Sequence, residues 1–347
     1  MKIRRIEITN VRCFRHVVFD LLTPDDGGTP MDIANPYTLT FGLNGSGKTS
    51  LFKIVCNFFT KLAPLYQGGD LNSGDARVLE ELGSVRVVWE DVVRETPCLF
   101  DVEYVLGAEA PTPSIIEHPA NHPRLKQGTL AEWTAAFTNS PFTKIGIIIA
   151  LDAYRQLFGR GNHAEILDCR ARALQETIQR SGSGFDSLVH WVKDCGYAAR
   201  DAASHNVEAR RWKVIEDVLN AFLAPCRITG FRPTDFLVTD TRADDNPAVS
   251  SWNLGAGAES LFIIAAELLY RLSATGCDPE DILYQEAVLL VDDLDLHLHP
   301  RIQDDFYRLF RSTFPNVQLI ASTHSPYMVG AVAPYQAFKL EPEDEKK

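Results

Sequence analysis

The sequence has no long apolar run. Although 45% of its 347 residues are apolar, no stretch approaches the roughly 18 consecutive apolar residues that a membrane-spanning helix needs. The opening residues, MKIRRIEITN, are basic and have no apolar segment behind them, so a secretory signal peptide is not expected. These absences predict a cytoplasmic protein with no membrane partner.

The sequence also lacks closely spaced cysteine pairs. The seven cysteines are an odd number, and they are scattered along the chain without a C-x-x-C pair. This distribution fits reduced thiols and argues against a disulfide framework. The chain also lacks an internal repeat and a sustained heptad pattern, which excludes a long coiled coil.

Positive charge is scarce for a nucleic-acid-coating protein. The net charge of −12 argues against DNA or RNA binding over the whole surface. Basic residues are nevertheless concentrated in two places: the first sixteen residues, which hold five Lys and Arg against Glu7 alone, and a mildly basic stretch from about 124 to 213. A local DNA contact is therefore compatible with the sequence.

The apolar strands alternate with helical patterns, as in an α/β protein with a mostly parallel sheet. The segments YTLTF, EAVLLV and NVQLIAST predict buried strands, and residues 49–62 and the stretch AESLFIIAAELLYRL predict helices. From about 129 to 224 the pattern is mostly helical. We interpret this middle segment as an inserted lobe. We expect residues from about 124 to 213 to face a partner or nucleic acid, and we expect the core to require none of them.

A glycine-rich turn follows the first of these strands. GLNGSGKT, residues 42–49, matches G-x-x-x-x-G-K-[ST] in full and lies between a predicted strand and a predicted helix. Such a loop turns backbone N–H groups onto phosphates, while its lysine reaches the β and γ oxygens and its threonine supplies a hydroxyl to Mg²⁺. The predicted nucleotide-binding residues are Asn44, Gly45, Ser46, Gly47, Lys48, Thr49 and Ser50.

The segment AVLLVDDLDLHLHP, residues 287–300, has two interpretations. His297 and His299 would point the same way on an extended strand, which is compatible with a zinc site. In a P-loop protein, however, Mg²⁺ is held by an aspartate after an apolar strand. The glycine-rich loop therefore favours Asp292 as a magnesium ligand, with Asp293 as the carboxylate that prepares a water for attack.

Four segments together resemble a known family. KIRRIEITNVRCF, GLNGSGKTS, VDDLDLHLHP and LIASTHSPYMV are similar, in this order, to the landmarks of ABC-type ATPases of the SMC, Rad50, RecF and OLD group, and in particular to AAA-15 type ATPases of anti-phage defence. The resemblance implies a P-loop NTPase, an ABC ATPase head with an N-terminal β-rich sublobe, a RecA-like core and an inserted helical lobe. The expected ranges are 1–123 for the N-terminal ATPase sublobe with the glycine-rich loop and 124–224 for the inserted helical lobe. Residues 225–347 are expected to form the C-terminal ATPase sublobe with the signature, the paired aspartates and the switch histidine.

The resemblance also assigns roles. It implies ATP and Mg²⁺ as cofactors, two ATP molecules sandwiched between two subunits, and His324 as the switch histidine that contacts the γ-phosphate. Arg12 matches the basic residue of the N-terminal strand that approaches the nucleotide, and Gln67 is a candidate for the Q-loop glutamine.

The neighbouring residues His324 and Ser325 also allow an alternative, Ser-His hydrolysis. No oxyanion turn or placed acid in the sequence supports it.

The chain departs from the family pattern at two positions. The signature segment should be NLGAGAESL, where Gly255, Ala256 and Gly257 would bind the nucleotide of the opposite subunit. Gly255 stands where relatives have a serine, and Asp293 stands where most have a glutamate. Both differences predict slow hydrolysis.

The resemblance suggests an ATP-dependent, dimerising subunit that regulates a separate nuclease or toxin, of the TOPRIM or HNH type. OLD nucleases carry a TOPRIM domain after the switch histidine, whereas this sequence stops at Lys347, so we expect no nuclease activity in this chain. The alternative is a RecF-like ATPase that clamps DNA. A transporter ATPase fits less well, because the signature is degenerate and HLHP is foreign to that class.

Overall fold

The structure is a computed structural model that describes residues 1–24, 30–62, 83–105, 114–138, 148–151, 153, 186–201, 206–242 and 245–341. The strands are β1 (Lys2–Val11), β2 (Phe14–Asp20), β3 (Leu22–Pro24), β4 (Pro30–Ala34), β5 (Tyr37–Phe41), β6 (Ser84–Val93), β7 (Thr96–Val105), β8 (Ser114–Glu117), β9 (Lys126–Gln127), β10 (Ile148–Leu151), β11 (Cys226–Phe231), β12 (Phe236–Asp240), β13 (Val249–Ser250), β14 (Ala287–Val291), β15 (Val317–Thr323) and β16 (Ala337–Lys339). The helices are α1 (Lys48–Leu62), α2 (Leu130–Thr138), α3 (Asp186–Asp201), α4 (Val207–Phe222), α5 (Ala256–Ser273), α6 (Pro300–Thr313) and α7 (Pro326–Gly330).

The centre of the fold is a parallel sheet with the strand order β10–β14–β15–β5–β16. Its middle strands are apolar on both faces because both faces are covered. In β14, for example, Val288 and Leu290 belong to one buried cluster, and Leu289 and Val291 belong to the other. The predicted α/β class with a parallel sheet is confirmed.

An antiparallel sheet covers one face of this core. Its strand order is β2–β1–β6–β7–β8, with β9 paired to β7. Apolar residues of α1 lie in the same buried cluster as this sheet and the covered face of the parallel sheet. Phe58 and Phe59 of α1 contact the ring of Trp89 in β6. This sheet corresponds to the β-rich N-terminal sublobe that the sequence predicts.

Helices cover the other face. Residues of α3, α4, α5 and α6 share a buried cluster with the opposite side chains of the parallel sheet. Helix α5 is buried along most of its length, which explains its nearly continuous apolar sequence. A small antiparallel sheet, β11–β12–β13, joins α4 to α5.

The interpretation of the middle segment requires a correction. Helices α2, α3 and α4 do lie between residues 129 and 224, but so does β10, an edge strand of the central sheet that pairs in parallel with β14. Trp133 of α2 is fully buried in the N-terminal cluster and donates from Nε1 to Asp91 Oδ2 at 2.8 Å. The expectation that the core requires none of this segment is therefore wrong, while the three predicted domain ranges stay a prediction.

Two other expectations concern the described residues only. No helix among them is long and apolar enough to cross a membrane. None of the six cysteines in the described ranges forms a disulfide.

Candidate nucleotide-binding and catalytic site

Three neighbouring strands bring the glycine-rich loop, the paired aspartates and His324 to the same end of the sheet. Strands β14, β15 and β5 are adjacent and parallel, so their carboxyl ends lie side by side. The loop at 42–49 follows β5, the segment 292–295 follows β14, and His324 follows β15. Because β15 lies between β5 and β14, His324 lies between the glycine-rich loop and the paired aspartates.

The glycines of the loop have separate structural reasons. A Cβ at Gly42 would lie 2.2 Å from the backbone oxygen of Leu340, so only glycine fits there. Gly47 has φ +96° and abuts Phe14, whose ring would lie 2.8 Å from an added Cβ. Gly45 has φ +82°, but its Cβ position is open, with no atom within 4 Å. The loop therefore packs against the rest of the protein at Gly42 and Gly47, and it is open at Gly45.

The loop fits an anionic ligand. Helix α1 starts at Lys48 and has no acidic residue in its first turn, so the positive potential of its N-terminus is not neutralised there. Lys48 Nζ donates to the backbone oxygens of Gly42 and Leu43 at 2.9 and 3.0 Å. The Oγ of Ser46 is buried and has no hydrogen-bond partner among the residues that the structure describes. The helix N-terminus, Lys48 and Ser46 could therefore contact a phosphate.

Arg12 lies in a turn whose next residues approach this loop. It occupies the turn between β1 and β2, where its backbone has φ +52°. Its neighbours Cys13 and Phe14 are the residues that approach Gly47. The structure therefore places the turn that holds Arg12 next to the glycine-rich loop, while an approach of Arg12 to a nucleotide stays a prediction.

A buried serine holds the two aspartates that follow β14. Ser322 Oγ, in β15, donates to Asp292 Oδ1 at 2.5 Å and lies 3.4 Å from Asp293 Oδ1. The same oxygen accepts the Asp293 backbone N–H at 2.7 Å. Asp293 adopts φ +46°, a left-handed conformation that Asp and Asn tolerate better than most residues. Ser322 thereby fixes both the turn and the direction of the carboxylates.

Replacing Ser322 with alanine should weaken Mg²⁺-dependent ATP binding or hydrolysis by roughly 10- to 100-fold, the usual effect of losing a group that orients a metal ligand. Titration of a fluorescent ATP analogue with and without Mg²⁺, together with the hydrolysis rate, measures it. Thr40→Val is the matched control, because Thr40 pairs with Ser322 across β5 and β15 and its hydroxyl donates only to the Ala321 oxygen. Wild-type behaviour of the Ser322 variant would contradict this role.

Asp295 is a site residue that the sequence interpretation missed. Its Oδ1 accepts from the Thr323 hydroxyl at 2.6 Å and from the His324 backbone N–H at 3.0 Å. Nε2 of His324 lies 3.8 Å from Asp293 Oδ1, and the imidazole is 41% exposed. Asp295 therefore fixes the turn that presents His324 beside Asp293. The sequence signal was a third acidic residue, two positions after Asp293.

The charges at this edge influence one another. Burial lowers the pKa of Lys48, and the nearby Asp293, Asp292 and Asp295 oppose that effect. Burial raises the pKa of Asp293, the neighbouring Asp292 raises it further, and His324 and Lys48 act in the other direction. Lys48, the three aspartates and His324 thus form one electrostatic cluster.

The donors suit magnesium. Carboxylate and hydroxyl oxygens are the ligands that this ion prefers, and Asp292 together with Thr49, exposed at the start of α1, supplies both. When bound, Mg²⁺ would neutralise charge on the phosphate oxygens. Asp292 is 4% exposed, so its carboxylate is held rigidly at the sheet edge.

The predicted signature segment begins α5. Gly255 is the N-cap of this eighteen-residue helix, makes no side-chain cap, and has open space at its Cβ position. Gly257 is close-packed, because a Cβ there would lie 2.7 Å from the backbone oxygen of His297. The helix N-terminus with Gly255, Ala256 and Gly257 therefore rests on the loop that follows the paired aspartates. Unlike α1, this helix has an acidic residue, Glu259, in its first turn.

The zinc interpretation gains no support. His299 caps α6, where its Nδ1 accepts the Arg301 backbone N–H at 3.3 Å. In the described part of the chain, no three His, Cys, Asp or Glu side chains are grouped as a metal site requires. Gln67 lies outside the described residues.

Parts of the chain are similar in sequence to known proteins. Residues 110–330 match the family described as "AAA domain, putative AbiEii toxin, Type IV TA system" (AAA_21). A stretch of 127 residues, 37% of the chain, is 31% identical to "Retron Vc95 probable ATPase" of Vibrio cholerae serotype O1 biovar El Tor and covers 24% of that protein. A stretch of 48 residues, 14% of the chain, is 50% identical to "Septu protein PtuA" of Bacillus thuringiensis and covers 12% of it. These matches span about a quarter of the relatives' length or less.

Among solved structures, the Smc head bound to the C-winged helix domain of ScpA is similar, with a TM-score of 0.50 and 12% identity over 96% of this chain and 92% of that chain. At this identity the likeness concerns the fold alone, and it confirms the expected fold of an SMC-type head. The AAA_21 match spans about two thirds of the sequence. The chain therefore belongs to this AAA domain family, AAA_21.

Proposed function

We propose that this protein binds ATP with Mg²⁺ and hydrolyses it slowly, and that the bound nucleotide acts mainly as a conformational signal. The observation that carries the proposal is the convergence of the loop at 42–49, the Asp292–Asp293 pair and His324 on three adjacent parallel strands. The names of the retron relatives, which include the word ATPase, support it.

Each residue has a distinct task in this proposal. The N-terminus of α1 and Lys48 bind the phosphates, and Asp292 and Thr49 hold the metal. Asp293 orients a water for attack on the γ-phosphate and accepts its proton, while His324 donates a hydrogen bond to the γ-phosphate oxygen. Asp295 and Ser322 keep these groups in place through the contacts described above.

Two features favour slow turnover. Aspartate is shorter than glutamate by one methylene, about 1.5 Å, and a misplacement of about 1 Å can cost on the order of 10²-fold in rate. Gly255 offers no hydroxyl to the opposite side of the γ-phosphate, which weakens charge stabilisation in the transition state. Both features impair chemistry more than binding.

The proposal includes pairing of two chains around the nucleotide. The N-terminus of α5 has no side-chain cap and open space at Gly255. In the pair, this helix N-terminus of one subunit would contact the γ-phosphate held by the loop at 42–49 of the other. ATP would then stabilise the closed pair, because it binds that state better than the open one.

Gly255→Glu tests the pairing. The new carboxylate has room, so the fold should be retained, but it would repel the phosphate of the opposite subunit. Sedimentation with Mg²⁺ and a non-hydrolysable ATP analogue should show pairing for the wild type and little for this variant, with unchanged ATP affinity. Gly330→Glu is the matched control, since Gly330 also has an open Cβ position.

Mixing two inactive variants sharpens the test. Lys48→Ala keeps the α5 N-terminus, and Gly255→Glu keeps the loop at 42–49, so a mixed pair contains one complete site. Hydrolysis should return on mixing, although each variant alone is inactive. A Gly255→Glu variant that pairs and hydrolyses normally, with no gain on mixing, would contradict the shared site.

We further propose that the nucleotide state controls a separate nuclease or toxin in anti-phage defence. The similarity to proteins named for retron and Septu systems supports this assignment. The test co-expresses the chain with the product of a neighbouring nuclease gene. Phage protection should require both proteins and should be lost with Lys48→Ala; protection that survives this variant would contradict nucleotide control.

A further inference from the structure

Gln303 lies between the two loops that carry Asp293 and His324. It belongs to the first turn of α6, and its side chain points at the turn 295–298 on one side and at Ser325 on the other. Its Nε2 donates to the backbone oxygens of Leu298 at 2.7 Å and Asp295 at 3.3 Å. Its Oε1 accepts from the Ser325 hydroxyl at 2.5 Å.

These contacts close a ring of hydrogen bonds. The Ser325 backbone N–H donates to Thr323 Oγ1 at 2.9 Å, and that hydroxyl donates to Asp295 Oδ1 at 2.6 Å. The Asp295 backbone oxygen then accepts from Gln303, which completes the circuit. His324 lies inside the ring, because it stands between Thr323 and Ser325 and donates its own N–H to Asp295 Oδ1.

Only one orientation of the Gln303 side-chain amide satisfies every hydrogen-bonding group around it. Ser325 Oγ already accepts the N–H groups of Tyr327 and Met328 as the cap of α7, so its single hydrogen is available to Gln303 Oε1. The two carbonyl oxygens on the other side need donors, which the NH₂ group supplies. A glutamate would place an acceptor against those carbonyls, and a methionine of similar shape would offer neither donor nor acceptor.

We infer that Gln303 is a positioning residue that holds the turn 293–298 and the turn 323–325 in register, so that Asp293 and His324 face the same phosphate. The inference rests on the proposed ATPase function for its catalytic consequence. Its structural part stands without nucleotide, because every member of the ring belongs to the protein. Gln303 itself is not expected to touch the nucleotide.

The test compares Gln303→Met and Gln303→Glu with the wild type. In nucleotide-free protein, amide hydrogen exchange at His324 should accelerate about tenfold or more, because the ring that protects this N–H opens more often. The hydrolysis rate should fall by roughly 10- to 100-fold, as expected for a displacement of about 1 Å. ATP affinity should stay within about twofold, because the loop at 42–49 is unchanged.

Gln285 provides the matched control. Its Nε2 also donates to a backbone oxygen, that of Asp281 at 3.0 Å, but it precedes β14 and so lies at the opposite end of the sheet from Asp292. Gln285→Met should leave the hydrolysis rate and the exchange of His324 unchanged. A similar loss of both in this control would indicate general destabilisation and would overturn the specific role of Gln303.

A double variant separates positioning from a merely local effect. If Gln303 acts through the ring, Asp295→Asn and Gln303→Met should be non-additive, so that the pair is hardly slower than the worse single variant. Additive losses, wild-type His324 exchange in Gln303→Met, or equal losses of binding and hydrolysis would overturn the inference. If the wild type fails to bind ATP, the proposed function fails, yet the exchange measurement still decides whether Gln303 holds the two turns.

Discussion

Lys48→Ala is expected to reduce ATP affinity by about 10²-fold or more, which corresponds to roughly 3 kcal/mol of charge-assisted hydrogen bonding. Lys48 lies within electrostatic range of Asp292, Asp293 and Asp295. Without its ammonium group, phosphates would approach the three carboxylates without the positive charge of Lys48 to offset them. Loss of the cation therefore removes an attraction and exposes a repulsion at the same position.

The measurement is a titration of a fluorescent ATP analogue at fixed Mg²⁺. Lys53→Ala is the matched control, because Lys53 is an exposed lysine of the same helix. Its removal should change ATP affinity less than about twofold, since exposed surface charges contribute little. Unchanged affinity of Lys48→Ala, or an equal loss with Lys53→Ala, would show that the nucleotide does not bind at this loop.

The sequence was sufficient to predict the strand, loop and helix around Lys48. Its information there is local: an apolar strand, glycines at fixed spacing and an amphipathic helix. The same holds for β14 and β15, whose continuous apolar runs indicate strands buried on both faces. The structure adds their neighbourhood, with β15 between β14 and β5. That order depends on contacts between distant segments.

Two features could not be inferred from local patterns. The strand β10 has only four residues, Ile148–Leu151, and a short apolar run within a mostly helical region does not distinguish a strand from a buried helical turn. Asp295 and Gln303 act through hydrogen bonds to the backbone of non-repetitive turns. Such contacts leave no periodic signal, and they are visible only when the turns are seen side by side.

Ionisation of Asp293 is expected to affect stability and hydrolysis in opposite directions. Burial and the neighbouring Asp292 raise its pKa, so the ionised form that is needed to accept a proton from water lowers the free energy of unfolding. Because the folded-state pKa lies above the ordinary value, this loss of stability is present at neutral pH and is relieved as the pH falls through the raised pKa. Hydrolysis should decline over the same interval, which starts at a higher pH than an ordinary aspartate would give.

Asp293→Asn is therefore expected to abolish hydrolysis while ATP binding persists and the melting temperature stays equal or rises. Asparagine has the same shape and tolerates the φ of +46°, so the turn should survive. Asp304→Asn, at an exposed position of α6, is the control for a simple loss of charge. Hydrolysis by Asp293→Asn at the wild-type rate would exclude this carboxylate as the group that prepares the water.

Asp293→Glu should have two separable effects. The left-handed backbone is less favourable for glutamate, by about 1 kcal/mol, so the melting temperature should fall slightly. The longer side chain restores roughly 1.5 Å of reach, so hydrolysis should accelerate by up to about 10²-fold. Single-turnover hydrolysis alone and in the paired state measures this rate without the influence of product release. A rate that stays unchanged while the melting temperature falls would mean that the reach of Asp293 does not limit turnover. Wild-type turnover at several per second, within the ordinary enzyme range of about 1 to 10³ s⁻¹, would contradict the proposed slow nucleotide switch.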